Sequence, residues 1–187
     1  MGRLIYTLNV SLDGYVATPD GGLDWTVVDD ELHQWFNDFT ARLDASFYGR
    51  RLYELMSAHW PTAGSDPDST ETEREFARLW LAMPKIVFSA TLDHVDWNSR
   101  LVRGDPATEL ARARREFDGD IDVGGATLAA SFIRAGLVDE LGLVVHPVVL
   151  GAGKPFLPQL ERPLRLSLFA RHEFSSGAVY LGYRRIE

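Results

Sequence analysis

The chain has 187 residues, 45% of them apolar, 25% charged and 11% aromatic, a balance that suits one soluble globular domain and excludes disordered, collagen-like and membrane-spanning chains. Its 19 Lys and Arg stand against 27 Asp and Glu, a formal net charge of −8, and the basic residues are scattered, which argues against nucleic-acid and membrane partners. With no cysteine there is no disulfide framework, thiol nucleophile, iron–sulfur cluster or cysteine zinc site.

No apolar run reaches the length needed to cross a bilayer. Met1 to Val10 lacks the form of a secretory signal because Asn9 interrupts its apolar run, and Tyr6 stands where N-myristoylation requires Ser or Thr. The expected location is the cytoplasm.

In chain order, Arg3 to Val10 is rich in β-formers and runs into Ser11-Leu12-Asp13-Gly14, so a strand is expected to end in a turn there. After the Asp20-Gly21-Gly22 turn, Leu32, Trp35, Phe36, Phe39 and Leu43 recur at helical spacing, with acids at positions 29 to 31; this predicts a helix over Asp29 to Leu43. Ala45 to Tyr48 reads as a short strand that stops at Gly49, where a helix over Arg50 to Met56 begins. Pro61 to Ser69 has loop composition, Ser69 or Thr70 can cap a helix over Glu71 to Met83, and Lys85 to Ser89 is a short buried strand.

Leu101 and Val102 hint at a further strand, and Ala107 to Phe117 is helical in pattern. Ile121-Asp122-Val123 then meets Gly124-Gly125, which opens a helix ending at Gly136. Leu141 to Leu150 is a continuous apolar strand, Gly151 to Pro158 a loop, and Leu164 to Phe174 with Ala178 to Arg185 a closing hairpin around Ser175-Ser176-Gly177. Alternating strands and helices that end in a strand pair predict a single α/β domain over residues 1–187, with a mixed sheet whose edge is antiparallel.

Two junctions of this pattern suit an anion. At Gly124-Gly125-Ala126-Thr127-Leu128 and at Gly49-Arg50-Arg51, glycine joins a strand to a helix whose free amides face outward, and the second junction adds two guanidiniums. Ser89 and Thr91 end a buried strand with hydroxyls that can reach a ribose or phosphate. Ordinary tight turns would use the same residues, but three phosphate-capable junctions suggest a dinucleotide. The Rossmann Gly-x-Gly-x-x-Gly, a P-loop, a His-x-x-x-His metal pair and the Gly-x-Ser-x-Gly elbow are all absent, so no metal site is expected.

Ser11-Leu12-Asp13-Gly14-Tyr15-Val16-Ala17, Tyr48-Gly49-Arg50-Arg51, Lys85 to Thr91, Val123-Gly124-Gly125-Ala126, Leu137 to Leu141 and Pro147 to Gly151 occur in order along nearly the whole chain. As a set they resemble the dihydrofolate reductase-like family that includes the riboflavin-biosynthesis (RibD-type) reductase domain. The resemblance implies a three-layer α/β/α fold around a mixed, mostly parallel sheet with an antiparallel C-terminal edge, binding NADPH across the carboxyl ends of the strands. It places Asn9, Val16 and Ala17 at the nicotinamide, and Gly49, Arg50 and Arg51 at the phosphates, with Arg50 near the 2′-phosphate. Ser89 and Thr91 would line the adenosine ribose, and Gly124, Gly125, Ala126, Thr127 and Leu128 would hold the pyrophosphate.

The implied activity is NADPH-dependent hydride transfer to a small planar heterocycle, carbonyl or imine, resembling 5-amino-6-(5-phosphoribosylamino)uracil reductase or dihydrofolate reductase. Trp25, Glu31 and Trp35 are candidate walls of the substrate pocket. Asp13 and Glu31 are the candidate catalytic carboxylates, although Asp-Gly is a turn signature and acids at a helix start complement its dipole. The alternative is an NADP(H)-binding module without turnover. The family further implies a homodimer, to whose interface Leu141 to Leu150 and the final strands could contribute, although apolar strands are more often intramolecular core.

Overall fold

The computed structural model describes residues 2–186. In chain order the first elements are β1 (Leu4–Ser11), β2 (Tyr15–Ala17), α1 (Asp30–Thr40), β3 (Leu43–Gly49), α2 (Arg50–Ala63), α3 (Glu71–Ala82) and β4 (Lys85–Phe88). They are followed by β5 (Ser99–Val102), α4 (Pro106–Glu116), β6 (Asp120–Gly124), α5 (Ala126–Arg134), β7 (Glu140–His146), β8 (Lys154–Pro155), β9 (Leu166–Glu173) and β10 (Val179–Arg185). Eight strands form one sheet in the order β5-β4-β3-β6-β1-β7-β10-β9. The first six in that order are parallel, while β10 pairs antiparallel with both β7 and β9. All six parallel strands therefore end at one edge of the sheet, where β3 and β6 are neighbours.

Side-chain alternation gives the two faces different coverings. On one face Leu4, Tyr6, Phe47, Ile121 and Val123 pack with Leu110 of α4 and Phe132 of α5 in a continuous core. The opposite face carries two separate clusters: Leu32 of α1 with Val144 of β7, Phe174 and Ala178, and Tyr48 and Val87 of β3 and β4 with Tyr53 of α2 and Trp80 of α3. Between them β1 and β6 present Thr7, Asn9 and Asp122, which belong to neither cluster.

Several boundaries differ from those read in the sequence. The first helix stops at Thr40 rather than Leu43, because Leu43 already begins β3. α2 runs on to Ala63 with Pro61 in its last turn, where the missing N–H removes a single intrahelical bond. β7 ends at His146, before Pro147, instead of continuing to Leu150. The expected loop from Gly151 to Pro158 contains β8, which pairs antiparallel with β2; strands this short carry no readable period. Since β1 and β10 flank β7 on both sides, β7 has no free edge, and its Leu141, Val144 and His146 are buried. The edge strand β9 instead exposes Leu168 and Phe169.

Candidate active site

At the carboxyl edge, β3 and β6 each pass through glycine into a helix. Gly49 is the N-cap of α2 and Gly125 that of α5, and neither helix has a side-chain cap, whereas Asp29, Thr70 and Asp105 cap α1, α3 and α4. The first-turn amides of α2 and α5 are thus left without side-chain acceptors, the arrangement that favours an anion. The two helix starts adjoin: a Cβ on Gly49 would lie 3.6 Å from Leu128 Cβ. Gly125 holds φ at 90°, a left-handed conformation, and a Cβ on Gly124 would come within 2.3 Å of Leu52 Cδ2.

The cations around this mouth divide in a way the sequence did not show. Arg50 is turned along its own helix, with Nη1 3.0 Å from Glu54 in an exposed i,i+4 pair. Arg51 is exposed and makes no side-chain hydrogen bond among the described residues. Lys154, read in the sequence as part of a loop, is carried by β8 to the first turn of α5, where its ammonium donates to the Thr127 hydroxyl. A lysine at a helix N-terminus opposes the dipole unless an anion joins them. At the neighbouring end of β4, Ser89 Oγ accepts from the Thr91 and Leu92 amides at 3.1 and 3.0 Å, with the Thr91 hydroxyl 3.4 Å away.

Further along the same edge, Asn9 Oδ1 lies 2.9 Å from Nε2 of His146, which is 1% exposed. The Trp25 and His146 rings meet nearly perpendicular at a centroid separation of 5.5 Å, and the Trp25 indole N–H is buried with no partner among the described residues. Val16 and Ala17 are buried on β2, with Val16 in the continuous core of the other face. His146 had no recognisable signal: an isolated histidine at the end of an apolar strand reads as core.

Both carboxylates singled out in the sequence accept hydrogen bonds from backbone amides. Asp13 accepts from Ser11 Oγ at 2.7 Å and from the Leu150 and Gly151 amides at 3.1 and 2.7 Å, clamping the segment after β7 to the β1–β2 turn. The Ser11 hydroxyl, foremost among these donors, holds its carboxyl below the usual range, which suits an ionised clamp and not a proton donor. Glu31 accepts from the Ser175 amide and hydroxyl at 2.9 and 2.7 Å, tying α1 to the β9–β10 hairpin, and these bonds likewise lower its carboxyl. Trp35 packs against Tyr180 at 4.5 Å and stacks on Phe39, so it fills the space between α1 and the hairpin rather than walling a pocket.

A different carboxylate lies in the gap between the two apolar clusters. Asp122 of β6 stands opposite Ser46 of β3 and Ile5 of β1, and burial pushes its carboxyl up to about 7. Its Oδ1 and the Thr7 hydroxyl on the same face are both buried with no partner among the described residues. The lone acid inside Ile121-Asp122-Val123 was the available signal, masked because a strand of that pattern also reads as half-exposed. At the opposite, amino edge of the sheet, a groove of about 380 Å³ is lined by Arg3, Asp139, Glu140, Arg184 and Arg185. There Glu140 bridges Arg3 and Arg184 at 2.8 and 2.7 Å.

The family model for the RibD C-terminal domain matches residues 3–180. The YyaP protein of Bacillus subtilis strain 168 is 35% identical over 182 residues, covering 97% of this chain and 94% of that protein. YwjB of the same organism is 28% identical, covering 98% of each. Among solved structures, a putative riboflavin biosynthesis protein from Shewanella species PV-4 superposes with a TM-score of 0.78 at 22% identity over 100% of both chains. Dihydrofolate reductase from Enterococcus faecalis, complexed with NADP(H), superposes with a TM-score of 0.64 at 17% identity, covering 99% of this chain and 97% of that one. These structural likenesses establish a dihydrofolate reductase-like fold.

Proposed function

The chain belongs to the RibD C-terminal domain family, and from that premise we propose that it is an NADPH-dependent reductase of a small planar C=N or C=O compound. The observation that carries this reading is the pair of adjoining, uncapped helix starts at Gly49 and Gly125, with Lys154 and Arg51 beside them. Such a mouth suits a polyanion in a chain whose net charge would otherwise repel one.

The donors and cations at this edge support a dinucleotide. The α5 start, with Gly124, Gly125, Ala126, Thr127, Leu128 and Lys154, would hold the pyrophosphate; Arg51, with Arg50 once released from Glu54, would take a 2′-phosphate; Ser89 and Thr91 would border the ribose. Asn9 is oriented by His146 so that its amide N–H groups remain available to a carboxamide. When bound, the cofactor supplies the hydride; the protein orients the two reactants and excludes water.

The test is titration with NADPH and NADH, followed by ligand fluorescence and thermal stabilisation, and then a panel of planar imines and carbonyls monitored by NADPH consumption. Selective stabilisation by NADPH with consumption on at least one compound is the expected result. Binding of neither nucleotide would overturn the reading. Binding without consumption would favour a ligand-responsive module, for which the engaged carboxylates of Asp13 and Glu31 are the supporting observation.

A further inference from the structure

With Asp13 and Glu31 occupied by backbone, a reductase of this form needs its proton from elsewhere, and the face between the two apolar clusters offers a source. Asp122 and Thr7 are diagonal neighbours there: Asp122 pairs with Ile5 in the β6–β1 register, and Thr7 follows two residues along β1 on the same face. Asp122 Oδ1 and Thr7 Oγ1 both lack a hydrogen-bond partner among the described residues, and Thr7 is only 7% exposed. Folded proteins seldom leave two buried oxygens unpaired in one place without a ligand to satisfy them. Opposite Thr7 stands Gly142, where a Cβ would fall 2.3 Å from the Thr7 hydroxyl, so that hydroxyl rests on bare backbone. Asp122 as a residue keeps partial exposure although its Oδ1 is enclosed.

We infer that Asp122 is the acid that protonates the substrate during reduction, and that Thr7 hydrogen-bonds the substrate beside it; this rests on the reductase reading above. Bound NADPH would supply the hydride pair that enters the substrate carbon. The π pair of the C=N or C=O bond takes the proton of the Asp122 carboxyl to form N–H or O–H. NADPH is oxidised by two electrons, the substrate is reduced by two, and the Asp122 carboxylate recovers its proton from water.

Burial keeps the Asp122 carboxyl partly protonated at neutrality, with Ser46 acting in the opposite direction, while Tyr48 on β3 is raised by its own burial and by Asp122. The other charged groups in its row are Lys85, beyond Ser46, and Glu140, beyond Ile5. Of the helices over this face, α1 brings His33 and α3 brings Glu73 and Glu75 to their shared interface.

The experiment uses 2-pyridone, a planar lactam whose carbonyl accepts from a protonated carboxyl while its N–H donates to the other oxygen. Its binding to the NADPH-loaded protein is followed by amide NMR shifts and by titration at pH 6 to 8.5. Expected are shifts at Thr7 and Asp122, affinity falling about tenfold per pH unit above pH 7, and losses of about tenfold in both Asp122→Asn and Thr7→Val. Binding that is absent, that leaves Thr7 and Asp122 unshifted, or that is independent of pH and of both substitutions overturns the inference. NADPH stabilisation measured on the same samples separates this failure from failure of the reductase reading, since only the latter removes it.

Discussion

The imidazole of His146 and the side-chain amide of Asn9 fix each other across the β7–β1 pair, with Nε2 2.9 Å from Oδ1. On its other side the ring accepts the Val27 amide at Nδ1, at 3.5 Å, so the proton sits on Nε2 and the neutral tautomer satisfies both partners. The lock turns the Asn9 oxygen inward and leaves its N–H groups for a ligand at the carboxyl edge.

Burial keeps the His146 pKa below the usual 6.5, so the unfolded chain takes up this proton more readily than the folded one. The stability its neutral form contributes is present above pH 6.5 and is lost as pH falls through the lower folded value. His146→Gln is expected to cost about 1–2 kcal/mol at pH 7.5 and to flatten the decline below pH 6.5. Urea unfolding at several pH values measures both effects, and an unaltered decline in the variant would reject the assignment.

Asp122 works in the opposite sense. Its folded value of about 7 lies above the model-peptide value of 3.8, so its favourable contribution is complete below pH 3.8 and lost as pH rises through 7. Asp122→Asn should therefore stabilise the fold by about 2–4 kcal/mol at pH 8 and change little at pH 4. Equal unfolding midpoints for the two proteins at pH 8 would show that the carboxylate is solvated.

The fold was legible where a single period dominates. The first strand, the helix starts after Gly49 and Gly125, and the closing hairpin at Gly177 all followed from local chemistry. Less legible was whatever depends on partners distant in sequence. Lys154 reaches Thr127 only because β8 pairs with β2, and Asp13 meets the Leu150 and Gly151 amides only because β1 and β7 lie side by side. The same holds for Asp122, whose exposure is set by the spacing between two helix clusters that no local pattern encodes.

Lys85 shows a buried charge used for capping. It is 1% exposed, donates to the Trp80 and Met83 carbonyls at 2.5 and 2.8 Å at the end of α3, and sits 4.2 Å from the centroid of the Trp80 ring. Desolvation lowers its pKa to about 8 from 10.5, so stability should rise as pH climbs from 8 to 10.5, where the unfolded chain holds the extra proton. Lys85→Met leaves two carbonyls without their donor and is expected to cost about 1–3 kcal/mol at pH 7. Comparing the two proteins at pH 7.5 and 9.5 tests the sign: the wild type should gain relative to the variant at the higher pH.

Gly125 combines a conformational and a functional requirement. At φ 90° an alanine is strained by about 1–3 kcal/mol, and relief of that strain would re-aim the first amides of α5. Gly125→Ala should therefore lower the unfolding midpoint and weaken NADPH by more than tenfold. Retained affinity in the folded variant would remove the α5 start from the phosphate site.

The two adjacent arginines should separate in a selectivity measurement. The Arg50–Glu54 pair is exposed on both sides, so it is weak and yields to a dianion, but Arg50 must still leave Glu54 to bind one. Arg51 has no such competitor among the described residues, and its guanidinium at the start of α2 would combine with the helix amides on one ligand. Arg51→Ala should reduce the NADPH to NADH affinity ratio by about tenfold and Arg50→Ala by about threefold. Glu54→Gln, by freeing Arg50, should raise the ratio. Titrations of both nucleotides against the three variants give the order directly; a larger loss in Arg50→Ala would return the 2′-phosphate to Arg50, and unchanged ratios in all three would place the 2′-phosphate away from α2.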